Sequence, residues 1–185
     1  MKTALVLLFT FLSFGVLAQQ PADPAAHYFA NLRLVDQNGR SVDLYNDVMK
    51  GHTVVINSFF ATCQASCLVM DANYAHLQKQ FKDLRLVSIT VDPANDTPAA
   101  LKAYAQRMKA GEGWLFLTGS KEQVHAALAK LGLAVDARDA HSNVLLAGNL
   151  KTGLWKKIFG LAKAEDIATA VQSVVEDVGG GKGAE

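Results

Sequence analysis

The chain has 185 residues and 19.8 kDa, half of them hydrophobic and 19% charged, which fits one domain with a packed core and excludes wholesale disorder. Its formal net charge of +1 excludes the electrostatic footprint of a nucleic-acid or polyanion binder. Two cysteines are too few for a disulfide-dense scaffold or a four-cysteine zinc module.

The first residues read as an address. Met1-Lys2-Thr3 is a short basic start, Ala4 to Leu17 is an almost wholly apolar run of 14 positions, and Val16-Leu17-Ala18 suits cleavage after Ala18. The run is short for a membrane span, so residues 1–18 read as a signal peptide sending the chain to the periplasm. An uncleaved N-terminal anchor is the competing reading, since local thinning of a bilayer tolerates a short span. Removing residues 1–18 takes away Lys2 alone and leaves 17 basic and 17 acidic residues. Secretion would put both cysteines in an oxidising compartment. Residues 19–26, with two prolines and no apolar periodicity, read as a linker. Residues 27–178 read as the folded domain, and 179–185, opening on three glycines, as a flexible tail.

Within the domain, Phe29 to Val35 and Ser41 to Leu44 flank Asp36-Gln37-Asn38-Gly39-Arg40, whose Asn-Gly pair predicts a hairpin because both residues accept positive φ. Thr53 to Phe60 is β-branched and aromatic without clean alternation, as suits a central strand covered on both faces. Met70, Tyr74, Leu77 and Phe81 follow at helical spacing, and Leu84 to Val91 is a second buried strand. Thr97-Pro98 predicts the cap and first residue of a helix with Leu101, Tyr104 and Met108 as its stripe. Trp114 to Leu117 predicts a short strand. Ser120 and Gln123 predict a capping box ahead of Val124, Leu128 and Leu131. Val144 to Ala147 and Leu154 to Phe159 predict two strands about a turn. Ile167, Val171, Val174 and Val178 mark a last helix ended by Gly179 to Gly181. The alternation argues an α/β layer structure with antiparallel strands added by the hairpin.

Cys63 and Cys67 fall between the first central strand and its helix. At the start of a helix, positions i and i+4 share a face, so both thiols can point to one place. A helix N-terminus favours thiolate over thiol and would lower the pKa. Such a pair can form a disulfide or grip one soft metal ion. A purely structural disulfide is poorly served by this spacing: closing about five residues stabilises by only ~2 kcal/mol, against ~4.7 for a loop of ~100. Strand-to-helix junctions of α/β folds are where ligands sit.

These segments together resemble the Sco/SenC/PrrC family, thioredoxin-like copper-handling proteins that serve the assembly of cytochrome c oxidase. The likeness runs from about Asn31 to Gly160 and is carried by the Asp36 to Arg40 hairpin, the strand leading into Thr62-Cys63 and Cys67, Val91 to Pro98, Trp114 to Gly119, and His141-Ser142. The resemblance implies an α/β, thioredoxin-like central mixed sheet flanked by helices, with an added N-terminal β-hairpin. It also implies one copper ion, Cu(I) or Cu(II), held by Cys63, Cys67 and His141. Topology supports the histidine: a strand beginning at Val144 and antiparallel to the cysteine-bearing strand starts at the edge where the cysteines lie, although His141 is 74 residues beyond Cys67. The implied partners are the copper subunit of cytochrome c oxidase or another secreted copper carrier, together with a thiol reductant. The chain itself is expected to be a monomer that binds no nucleic acid.

The chain departs from the family where proline usually follows each cysteine; Gln64 and Leu68 stand there instead, and no acidic residue lies between the cysteines. Without proline the thiols should be more mobile and the amides of Gln64 and Leu68 available as donors. That moves weight toward thiol–disulfide exchange by the redox pair Cys63 and Cys67 as an alternative function, with Cys63 the more exposed thiol. Of the other polar residues, Asp96 reads as a turn and cap residue. Asp92 stands between a turn role and a carboxylate beside the site. His27, His52, His76 and His125 lack ligand spacing to one another, His76 reads as solvated and Met70 as core.

Overall fold

The structure, a computed structural model, describes residues 23–137 and 142–179. The signal peptide, the first part of the linker, His141 and residues 180–185 lie outside the described residues. Among those described, no helix is long and apolar enough to cross a membrane.

Helix α1 (Pro24–Tyr28) leads into strands β1 (Arg33–Asp36) and β2 (Ser41–Asp43), then a π-helical turn at Leu44–Met49. Next come β3 (Thr53–Phe59), α2 (Ser66–Gln80), β4 (Arg85–Thr90), α3 (Pro98–Arg107), β5 (Trp114–Thr118) and α4 (Lys121–Leu131). The hairpin β6 (Val144–Asn149) and β7 (Leu154–Phe159) and helix α5 (Ala164–Val175) complete the domain. The seven strands form one mixed sheet in the order β2-β1-β5-β4-β3-β6-β7. Strands β3, β4 and β5 are parallel, while β1, β6 and β7 run antiparallel to their neighbours. This is the expected thioredoxin-like arrangement, with the N-terminal hairpin extending the sheet through β1 and β5.

Side-chain alternation splits the core into two layers. Val55 and Phe59 of β3, Leu86 of β4, and Trp114 and Phe116 of β5 face α2, α3 and α5. Val54, Ile56, Val87, Ile89 and Leu117 face α4 and the π-helical turn. The central strands are therefore covered on both faces, which is why their sequence does not alternate. The first layer holds a cluster of rings: Phe59 lies 5.3 Å from Tyr104 and 5.5 Å from Phe116, and Trp114 lies 5.3 Å from Tyr74.

Several local details differ from the sequence expectations for physical reasons. In the first hairpin only Gly39 has positive φ, 79°, and Asn38 does not share it. The Asp36 carboxylate supplies the order instead, accepting from the amides of Asn38 and Arg40 at 2.9 Å each and from Arg40 Nε at 2.7 Å. The Ser120 hydroxyl does accept from the Gln123 amide at 3.2 Å. The Gln123 side chain does not close the box, because its oxygen accepts from the Arg33 amide of β1 at 2.9 Å. Helix α5 stops at Val175, and Val178, expected on its stripe, is 92% exposed. The turn at Leu44–Met49 and the single turn at Pro24–Tyr28, which runs from the end of the expected linker into the domain, are additional elements. The first buries Leu44, Tyr45, Val48 and Met49.

Candidate metal and thiol centre

The carboxyl ends of β3, β4 and β5 share one edge of the sheet. Strand β6 starts at that edge, since Ile56 pairs with Leu146 in an antiparallel register. Cys63 and Cys67 lie at this edge, reduced and buried, with 7% and 1% of their surfaces exposed. The helix that follows begins at Ser66, so only Cys67 belongs to its first turn, and Cys63 sits in the preceding loop. The shared helical face expected from the four-residue spacing is thus replaced by a loop folded back on a helix. The two thiols nevertheless share a hydrogen bond.

Burial pushes the Cys67 thiol well above the ordinary cysteine range. The hydrogen bond with Cys63 and the charges of Cys63 and Asp71 act in the same direction, and the Phe60 amide at the sulfur pulls against them. The expected lowering by the helix N-terminus is therefore overturned at Cys67: the cost of burying a thiolate outweighs the partial charge of one helix end. The Leu68 amide, expected to be available, donates to Ala65 O at 3.2 Å, as the first turn of a helix without a side-chain cap requires.

The loop is held from within and by groups of the β4–α3 connection and α3. The buried Asp96 carboxylate accepts from the Ala61 amide at 3.1 Å and from the Thr90 hydroxyl at 2.5 Å, clamping the cysteine loop to the end of β4. The Cys63 amide donates to Phe60 O at 3.1 Å. Arg107 of α3 donates to Ala61 O at 3.4 Å and lies 4.6 Å from the centroid of the Tyr104 ring. Asp92 is the turn residue, with its carboxylate bound by the Asn95 amide group at 3.0 Å. Asp96, expected only to shape the turn and cap, supports the site instead, and Asp92, for which both roles stood open, shapes the turn.

One further group escaped the sequence reading. Asp71 stands one helical turn beyond Cys67 on the inward face of α2, buried, and accepts a short hydrogen bond from the Tyr104 hydroxyl. Burial raises its carboxyl to about 6, opposed by the Tyr104 hydrogen bond and the Arg107 charge. The signal was present in the spacing 67, 70, 71, 74, which places a carboxylate among Cys67, Met70 and Tyr74 on the buried stripe. Met70 is core, as expected. His27 and His125 are exposed, and His52 and His76 are half-buried.

A family model described as SCO1/SenC matches residues 20–175. The chain belongs to the SCO1/SenC family. A SCO1 homologue of Bacillus subtilis (strain 168) is 34% identical over 106 residues, 55% of this chain and 54% of that protein. The chain thus spans about half the length of the curated relatives it matches. The crystal structure of a SCO1/SenC family lipoprotein from Bacillus anthracis str. Ames is similar with a TM-score of 0.67 and 29% identity, covering 78% of this chain and 92% of that one. Copper-bound yeast Sco1 shares the fold with a TM-score of 0.64 and 22% identity, covering 80% and 92%. As an SCO1/SenC protein, this chain brings two of its three expected copper ligands, Cys63 and Cys67, into contact, while His141 lies outside the described residues. Among the described residues no cluster of three His, Cys, Asp or Glu side chains could hold a metal by itself. Two adjacent soft sulfurs are a donor set that fits Cu(I) better than a hard cation.

Proposed function

We propose that this SCO1/SenC protein binds one copper ion as cargo through Cys63, Cys67 and His141 and delivers it to a copper site of cytochrome c oxidase. It would act from the periplasm after cleavage of the signal peptide at residues 1–18. The observation that carries the reading is the contact of two reduced, buried thiols at the sheet edge where β6 begins. Thiolates favour Cu(I), an imidazole accommodates Cu(II), and ligand exchange passes the ion to a softer or more complete site. Binding of the metal displaces the thiol protons, including the strongly held one on Cys67. The partner would be the copper subunit of the oxidase or another secreted copper carrier.

The test is titration of the reduced mature chain with Cu(I) and Cu(II). The expected result is tight binding of about one equivalent, weakened by His141→Ala. No tight binding, or binding indifferent to that substitution, would overturn the proposal.

A second reading, thiol–disulfide exchange on secreted cysteine pairs, is favoured by Gln64 and Leu68 standing where proline is usual and by the opening at Cys63. In this reading Cys63 attacks and Cys67 resolves, so a Cys67→Ala chain should trap a mixed disulfide. Absence of any trapped partner thiol would remove the basis for it.

A further inference from the structure

Cys63 opens into a hollow of about 560 Å³ lined by Ala61, Thr62, Gln64, Leu68 and Arg107. Arg107 is the one charged member of that lining. Its place at the rim is set twice over, by the hydrogen bond to Ala61 O at 3.4 Å and by the Tyr104 ring 4.6 Å from its guanidinium carbon. Neither contact neutralises it, and Arg107 makes no ion pair within 4 Å among the described residues. The carboxylate that feels its charge, Asp71, is buried behind the surface and already bound by the Tyr104 hydroxyl. A molecule whose sulfur approaches Cys63 therefore meets a cation with most of its five N–H donors still directed to water.

We propose that Arg107 is a specificity-determining residue that selects, for exchange at Cys63, sulfur compounds carrying a carboxylate close to the reacting sulfur. The inference rests on the thiol-exchange reading of the site. In the forward step the Cys63 thiolate attacks one sulfur of the incoming disulfide. The Cys63–sulfur bond forms, the disulfide bond breaks, and the leaving thiolate takes up a proton. The Cys67 sulfur, losing its proton, then attacks Cys63, releasing the second thiol and leaving a Cys63–Cys67 disulfide. The incoming disulfide gains two electrons and the cysteine pair loses two. The planar guanidinium is shaped to bind a carboxylate by two parallel hydrogen bonds, which fixes the orientation of the sulfur beside it.

The experiment measures oxidation of the reduced chain by three small disulfides of similar size: dithiodipropionate (anionic), hydroxyethyl disulfide (neutral) and cystamine (cationic). A matched pair of peptide disulfides, with Glu or Lys beside the cysteine, forms a second arm that separates a protein source of the carboxylate from a small thiol acid. At low ionic strength the expected preference for the anionic over the cationic probe is roughly fivefold, shrinking in roughly 0.5 M salt. Arg107→Gln should bring the ratio of the anionic to the cationic rate close to one, whatever common change the altered contact with Ala61 O brings to all three probes. Arg107→Lys should keep the order. A merely structural role for Arg107 would move all three rates together. Equal rates across charge in both arms, or a preference that survives Arg107→Gln, would overturn the assignment while leaving exchange itself intact. Failure of every probe to oxidise the pair would overturn both.

Discussion

Replacing Asp71 by asparagine should make the protein more stable at neutral pH and hardly change it in mild acid. Asp71 is buried against α3, and its carboxyl is raised from 3.8 to about 6 by that burial. The folded state then holds a proton that the unfolded chain releases between about pH 4 and about pH 6, so wild-type stability is complete below the unfolded value and is lost as pH rises through the folded one. A shift of roughly two units, with the opposing hydrogen bond from Tyr104 already included in it, corresponds to at most about 3 kcal/mol at neutral pH. The other titratable groups around it do not supply this slope. Cys67, Tyr74 and Tyr104 are all pushed upward and stay protonated, and Arg107 stays charged. In the Asp71→Asn chain the side-chain amide oxygen would still accept from the Tyr104 hydroxyl. Urea unfolding of both proteins under reducing conditions, at about pH 4 and about pH 7.5, measures the difference, in which titrations common to both cancel. The variant's advantage should be near zero in acid and about 1–3 kcal/mol at neutral pH. Parallel stability curves for the two proteins would refute the claim that a buried, destabilised carboxylate lies beneath the cysteines.

Asp96→Ala should cost about 3 kcal/mol, because it leaves the Ala61 amide and the Thr90 hydroxyl unpaired in the interior, and iodoacetamide should then label Cys63 faster. In the reduced wild-type chain at mildly alkaline pH, iodoacetamide should modify Cys63 at least about tenfold faster than Cys67, since Cys67 is less exposed and its thiol is held protonated; peptide mapping of partly labelled protein reads the ratio. Gly148→Ala should destabilise the second hairpin by about 1–2 kcal/mol in thermal or urea unfolding, because a Cβ there would fall 2.3 Å from the Trp155 ring that covers the glycine across the strand pair.

Strong, local signals in the sequence carried most of the architecture. Val54, Val55 and Ile56, and Leu86, Val87 and Ile89, sit in strands without alternation because helices cover both faces, and that pattern is visible as a run of apolar residues. Thr97-Pro98 and Ser120 cap their helices where expected, since each cap depends on atoms three residues away. What escaped depends on tertiary neighbours. The turn at Leu44–Met49 is too short to show a period, and its four buried residues make sense only beneath the second face of the sheet. The spacing puts Asp71 beside the buried stripe of its helix, but its role shows only once Tyr104, 33 residues away, is brought to it. Cys63 looks helical by spacing, but the Asp96 clamp on Ala61 holds its loop off the helix, and that clamp joins residues 35 apart. The closeness of the two thiols was legible in their spacing, while burial reversed the expected direction of the Cys67 titration.

The Asn73 amide group donates to Gly160 O at 2.9 Å and to Ala162 O at 3.3 Å, and Asn73 belongs to the same helix as Cys67. The rod that bears the inner sulfur is thereby moored to the segment joining β7 to α5. A fragment ending at Leu150 would keep both cysteines and three parallel strands, yet it would cast that mooring loose along with the cover that α5 lays over the sheet. The unit that carries the cysteine pair is therefore indivisible: the stretch after Leu150 contributes no sulfur and still decides where the sulfur stands.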